Sequence, residues 1–140
     1  YSLGISGIGG KTSSGLGKFL IWDEDLNASP SGKALTGYLE DTDAPVQMAL
    51  GTVVPYGDRD FEILSNPESS YLLVSRTGFT SSANFCDPES GNALKRKTCI
   101  MLREGSCFPE KLSGGVLNLS YGGLHPVYRA GKTLFMGLRI

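Results

Sequence analysis

Between Gly4 and Phe19 the chain reads GISGIGGKTSSGLGKF, sixteen residues with six glycines and lysines at 11 and 18. Glycines at this density let successive backbone N–H groups approach a polyanion closely, and lysine and hydroxyl side chains add donors. The chemistry is that of a phosphate cradle, built from Gly9, Gly10, Lys11, Thr12, Ser13, Ser14, Gly15 and Lys18. It is not a nucleotidase P-loop. Gly10-Lys11-Thr12 matches the end of that motif, but Ile5 occupies the position of its first glycine. A dinucleotide fingerprint fails as well, because Gly7-Ile8-Gly9 is followed by Thr12 where the third glycine is required. A second loop near the carboxyl end, His125-Pro-Val-Tyr-Arg129, offers His125, Tyr128 and Arg129 to stack on an unpaired base or to bond phosphate and 2′-OH. Arg76, followed by Thr77, Gly78 and Phe79 after a strand, either offers a further RNA contact or simply turns the chain.

Other chemistries find little support. Cys86, Cys99 and Cys107 are an odd number without a C-x-x-C pair, and His125 is the only histidine, so no zinc site is specified. Unpaired thiols of this kind fit a reducing, cytoplasmic compartment. Asp23 with Asp25, and Asp58 with Asp60, are pairs that can hold Mg²⁺ in principle, but both lie in acidic, turn-like stretches and read as solvated. No run approaches the ~20 apolar residues of a membrane span. Tyr1–Gly10 has neither a basic start nor an apolar core, so no signal peptide is expected, and the missing initiator Met points to a chain that begins inside a larger protein.

The net charge of −1 argues on its own against binding nucleic acid through bulk charge. Its distribution argues otherwise. Residues 1–19 carry +2, residues 20–70 carry −8, and residues 71–140 carry +5. Lys95-Arg96-Lys97 contributes to the last block and reads as a solvated insertion.

The elements that must position these loops are mostly strands. Short apolar runs predict strands at Gly17–Trp22, Val46–Val54, Tyr71–Arg76, Thr98–Arg103, Gly115–Leu119 and Thr133–Ile140. Asp23–Asp43 reads as a loop or linker, and no helical periodicity is long enough to assign, although Asp60–Leu64 can form a turn.

The segment Gly9–Phe19, GGKTSSGLGKF, closely resembles the glycine-rich loop of the RAMP superfamily of CRISPR proteins. His125-Pro-Val-Tyr-Arg129, followed by Gly131-Lys132 and Leu134-Phe-Met-Gly137, resembles the end of the type III-A (Csm-type) effector subunit that caps the crRNA 5′ end. The two motifs stand in the family's order. The resemblance implies an α+β fold, a ferredoxin-like (RRM-like) RAMP domain rich in antiparallel β. It also implies that residues 1–22 are the glycine-rich loop and last strand of an amino-terminal RAMP domain otherwise missing, 23–44 an acidic linker, and 45–140 the carboxyl-terminal domain.

The function so implied is that of a non-catalytic scaffold for antiviral defence. It would hold the crRNA 5′ tag and link the backbone RAMP subunit to the large polymerase/cyclase-like subunit, in the cytoplasm and without cofactor, metal or membrane. Phosphates would be positioned rather than sequence read. The alternative is a metal-independent crRNA-processing RAMP endoribonuclease with His125 as general acid or base. That chemistry needs a second proton-transfer group, for which Tyr128, Lys132 or Lys11 is available.

Overall fold

Within the stretch expected to be a linker, Pro30–Glu40 forms helix α1. The start signal is local: Ser29 Oγ accepts the Gly32 N–H at 3.0 Å, and Pro30 follows it with a φ already suited to a first turn. The loop reading of Asp23–Asp43 is corrected accordingly over residues 30–40. The computed structural model describes residues 5–8, 14, 16–20, 28–80, 86–87, 89–121 and 125–140. The chain divides into two compact units, Tyr1–Ala34 and Leu35–Ile140.

The second unit is α+β. Strands β1 (Val46–Ala49), β2 (Leu73–Arg76), β3 (Cys99–Leu102), β4 (Cys107–Phe108), β5 (Gly115–Asn118), β6 (Tyr128–Gly131) and β7 (Phe135–Leu138) are joined by helix α2 (Gly57–Leu64). All their pairings are antiparallel: β4-β1-β7 forms one sheet, and β2-β3 and β5-β6 form two ribbons. The residues after β1 join these pieces. Val53 exchanges backbone hydrogen bonds with Leu102 at 3.0 and 2.8 Å, while Val54 donates to Gly131 O and accepts from Gly115 N, both at 2.9 Å.

Alternation along this junction separates two cores, because successive side chains of an extended chain point to opposite faces. Val53 and Leu102 join Ala49, Ile63, Phe108, Leu112 and Phe135 in one cluster. Val54 and Met101 join Cys99 and Leu119 in the other, with Val74 and Leu117 packed against it. Phe108 anchors the first, its ring 6.2 Å from that of Tyr71 and 6.4 Å from that of Phe135. Close approach at the junction excludes larger side chains, since a Cβ on Gly131 would run into the Val54 side chain and lie 2.6 Å from its nitrogen.

Asp60 fixes the start of the β5-β6 ribbon. Its carboxylate is fully buried and accepts backbone N–H groups from Tyr56 (2.9 Å), Ser113 (2.8 Å) and Gly114 (3.0 Å). The solvated reading of the Asp58/Asp60 pair therefore fails for Asp60. Its lone pairs are committed to the polypeptide rather than to water.

The remaining differences from the sequence expectations are local. β1 ends at Ala49, because the chain bends at Leu50 and Gly51 before Val53 pairs with β3. Of the strand expected at Gly17–Trp22, residues 17–20 pair with no strand among the described residues, and Gly17 has a φ of +75° that no strand accommodates. Ile21 and Trp22 lie outside the described residues. Helix α2 begins three residues before the expected turn at Asp60, with Asp58 and Asp60 in its first turn, where acidic groups suit the helix dipole.

Candidate nucleic-acid interface

In the first unit, the glycine-rich loop is closed at its neck. Ile8 N–H donates to Gly17 O at 2.9 Å, and a Cβ on Gly17 would collide with the Ile8 carbonyl. That position thus requires glycine for both its positive φ and its contact. Of the expected cradle, Ser14 and Lys18 are described, and both are exposed. Gly9, Gly10, Lys11, Thr12, Ser13 and Gly15 lie outside the described residues.

In the second unit, β2 and β3 continue beyond their paired residues as an arm. Phe79 bridges Lys95, Thr80 N donates to Leu94 O at 3.0 Å, and Cys86 bridges Ala93. Asp87 closes the tip: its Oδ1 accepts from Glu89 N, Ser90 N and Ser90 Oγ. The Ser90 backbone N–H, then its hydroxyl, hold the Asp87 carboxyl below the usual carboxylate range despite some loss of hydration. The tip of the arm is acidic and its stem is basic, with Arg76, Lys95, Arg96 and Lys97.

The stem contains a bulge. Arg76 pairs with Cys99 and Phe79 with Lys95, so residues 77 and 78 on one strand face 96, 97 and 98 on the other. An extra residue of this kind breaks the ladder and redirects its groups. Here Lys97 N–H leaves the arm and donates to Leu119 O at 2.8 Å, while Leu119 N–H donates to Val127 O at 2.7 Å. These bonds tie the basic stem to the base of the turn between β5 and β6. The Lys97 ammonium then sits 5.7 Å from the centroid of the Tyr121 ring, within cation–π range.

Arg76, Tyr128 and Arg129 thus belong to two tied ribbons, but they do not form one flat platform. Tyr128 pairs with Asn118 and is 65% exposed, whereas Arg129 pairs with the half-buried Leu117 on the opposite face of the ribbon. Arg129 Nε is buried without a hydrogen-bond partner, as is Arg96 Nε. Arg96 donates from Nη2 to Thr77 O at 3.3 Å. His125 is half-buried, and its Nδ1 lies 3.1 Å from Pro126 O, a contact in which only the ring nitrogen can donate.

Lys97 and Tyr121 were not legible as a pair. They stand 24 positions apart, and the Lys-Arg-Lys run reads as a solvated insertion until the bulge is known. No ion pair among the described residues engages Lys95, Arg96 or Lys97, while the Glu104 backbone N–H, with smaller help from Arg103 and Arg76, holds the Glu104 carboxyl below its usual range. A separate apolar groove of about 540 Å³, between α2 and the β2-β3 ribbon, is lined by none of the sequence-predicted site residues. Among the described residues no three His, Cys, Asp or Glu side chains are grouped to hold a metal, and no helix is long and apolar enough to cross a membrane.

A profile of the CRISPR Csm4 C-terminal domain matches residues 42–138. Two curated proteins, each named "CRISPR system Cms protein Csm4", from Mycobacterium tuberculosis strains CDC 1551 / Oshkosh and ATCC 25618 / H37Rv, are each 35% identical over 135 residues. The alignment takes in 96% of this chain and 40% of each relative. The chain therefore spans about two-fifths of the length of the curated relatives it matches.

Proposed function

Because this chain belongs to the CRISPR Csm4 C-terminal domain family, we propose that it is part of a type III-A CRISPR interference complex, where it binds crRNA and serves as a scaffold without cleaving it. The observation that carries the reading is the junction in the second unit. A basic stem whose Lys95, Arg96 and Lys97 make no ion pair among the described residues is tied by backbone bonds to the turn that bears Tyr121 and His125 and leads into Tyr128 of β6. Cationic groups interleaved with exposed aromatic rings are what single-stranded RNA requires.

Phosphate contacts of this sort give affinity and register without reading sequence. In this proposal Arg76, Tyr128 and Arg129 contribute from the second unit, and the glycine-rich loop with Lys11 and Lys18 supplies a second set of phosphate donors. The backbone RAMP subunit and the large polymerase/cyclase-like subunit are its protein neighbours, and the setting is cytoplasmic.

The test uses the full-length protein with 5′-labelled RNA derived from a CRISPR repeat. An intact, shifted band is expected. Cleavage that disappears in His125→Ala would overturn the scaffold reading and establish the endoribonuclease alternative instead.

A further inference from the structure

We propose that Lys97 and Tyr121 form a platform for one unstacked base of a single-stranded RNA, and that the bulge in the arm is what assembles it. The inference rests on the RNA-binding reading above and adds to it a specific contact and a strand requirement.

Three observations converge. The first is the register. With three residues facing two, Lys97 has no ladder partner within the arm, and its N–H spans to Leu119 at the end of β5. Without the extra residue the stem would pair continuously and Lys97 N–H would have no reason to leave it. The second is the ring. Tyr121 is 74% exposed, and the Lys97 ammonium lies over it at 5.7 Å. A large aromatic left in water with a cation on one face offers its other face for stacking and a charge beside it for a phosphate. The third is charge. Arg76, Lys95, Arg96 and Lys97 lie along the same stem, and the Arg96 guanidinium lies across Gly78, where a Cβ would stand 3.2 Å from its Nη2.

The ligand must be single-stranded. In an A-form duplex the bases are stacked on one another and cannot present a face to Tyr121, whereas phosphates remain available to the lysines and arginines. Duplex RNA can therefore use the rail of positive charge but not the platform.

The experiment measures binding of a 5′-fluorescent mixed-sequence RNA, single-stranded and annealed to its complement, to the full-length protein and its variants. Tyr121→Leu is expected to weaken single-strand binding about ten-fold, Tyr121→Phe to stay within about two-fold of the parent, and neither to change duplex binding. Lys97→Ala is expected to weaken single-strand binding and lower its log–log salt slope by roughly 0.7, the value for one phosphate contact on a single strand. Circular dichroism shows whether each variant is folded, and the exposure of Tyr121 makes both of its substitutions tolerable.

If Tyr121→Leu binds the single strand like the parent while Lys97→Ala binds it less well, the RNA reading survives and the platform does not. Equal losses in Tyr121→Leu and Tyr121→Phe would assign the effect to the hydroxyl and overturn stacking. A parent protein that binds neither RNA overturns both the platform and the reading it rests on.

Discussion

Arg139 grips Asp41 with both forks of its guanidinium, Nε to Oδ2 and Nη2 to Oδ1, each at 2.8 Å. The two residues lie 98 positions apart, and each stands one residue outside an end of the stretch matched by the family profile. The pair fastens the end of α1 to the end of β7. Bidentate geometry makes it a stronger contact than an ordinary surface ion pair, although Arg139 remains largely exposed.

The hydrogen bond from Arg139 holds the Asp41 carboxyl below the usual carboxylate range, outweighing partial desolvation. A carboxyl whose folded pKa is depressed contributes stability above its unfolded value, and that contribution disappears as pH falls through the folded value. Asp41→Asn is therefore expected to melt below the parent at neutral pH. Thermal melts taken down through the acid range should show the gap closing below about pH 3.9, the ordinary aspartate value. A gap independent of pH would refute this account.

Asp60→Ala leaves the N–H groups of Tyr56, Ser113 and Gly114 without their acceptor. Hydrogen bonds to a charged group contribute about 1.5–3 kcal/mol each, but partial rehydration limits the sum, so a loss of roughly 3 kcal/mol is expected. Chemical denaturation measures it. Asp60→Asn, which keeps a carbonyl oxygen for part of the set, should lose less.

Gly131→Ala places a methyl group against Val54 where the backbones meet. Overpacking of this kind typically costs about 1–3 kcal/mol. Its effect should appear at the junction first, as faster amide exchange at Val54 and Gly115, whose bonds cross there.

Arg76→Ala and Arg129→Ala should each weaken RNA binding, with different signatures. Arg76 is exposed at the end of β2 and is expected to behave as a phosphate contact, its removal lowering the salt slope by roughly 0.7. Arg129 is half-buried with an unpartnered Nε, so its removal should also change stability in the absence of RNA. Titrations at several salt concentrations, alongside melts without RNA, separate the two.

Five of the strands were legible because their apolar runs are bounded by glycine, proline or charge, whereas the α+β class followed from the family resemblance, since no helical pattern was long enough to assign. Thr98–Arg103, for example, contains β3, and Thr133–Ile140 contains β7. Helix α1 was hidden by its glycine and serine content, even though Ser29 and Pro30 form a recognisable start. β6 was concealed at the end of the His125–Arg129 motif, which it overlaps by two residues, because it exists through pairing with β5, a contact that no local composition specifies. The candidate site was legible as residue types and not as an arrangement. Tyr128 and Arg129 are neighbours in sequence yet lie on opposite faces of a ribbon, and Lys97 reaches Tyr121 only because of a miscounted ladder.

The partition of side chains at residues 53–54 and 101–102 bears on how the second unit comes apart. Each hydrophobic cluster borrows its innermost residues from the same two backbone segments, so neither can melt while the other keeps its packing. Calorimetric and van't Hoff enthalpies should therefore agree for this unit. A lesion at Phe108, in the cluster that excludes Leu119, would then lower the population of molecules able to make the proposed RNA contacts without touching any of the residues that make them.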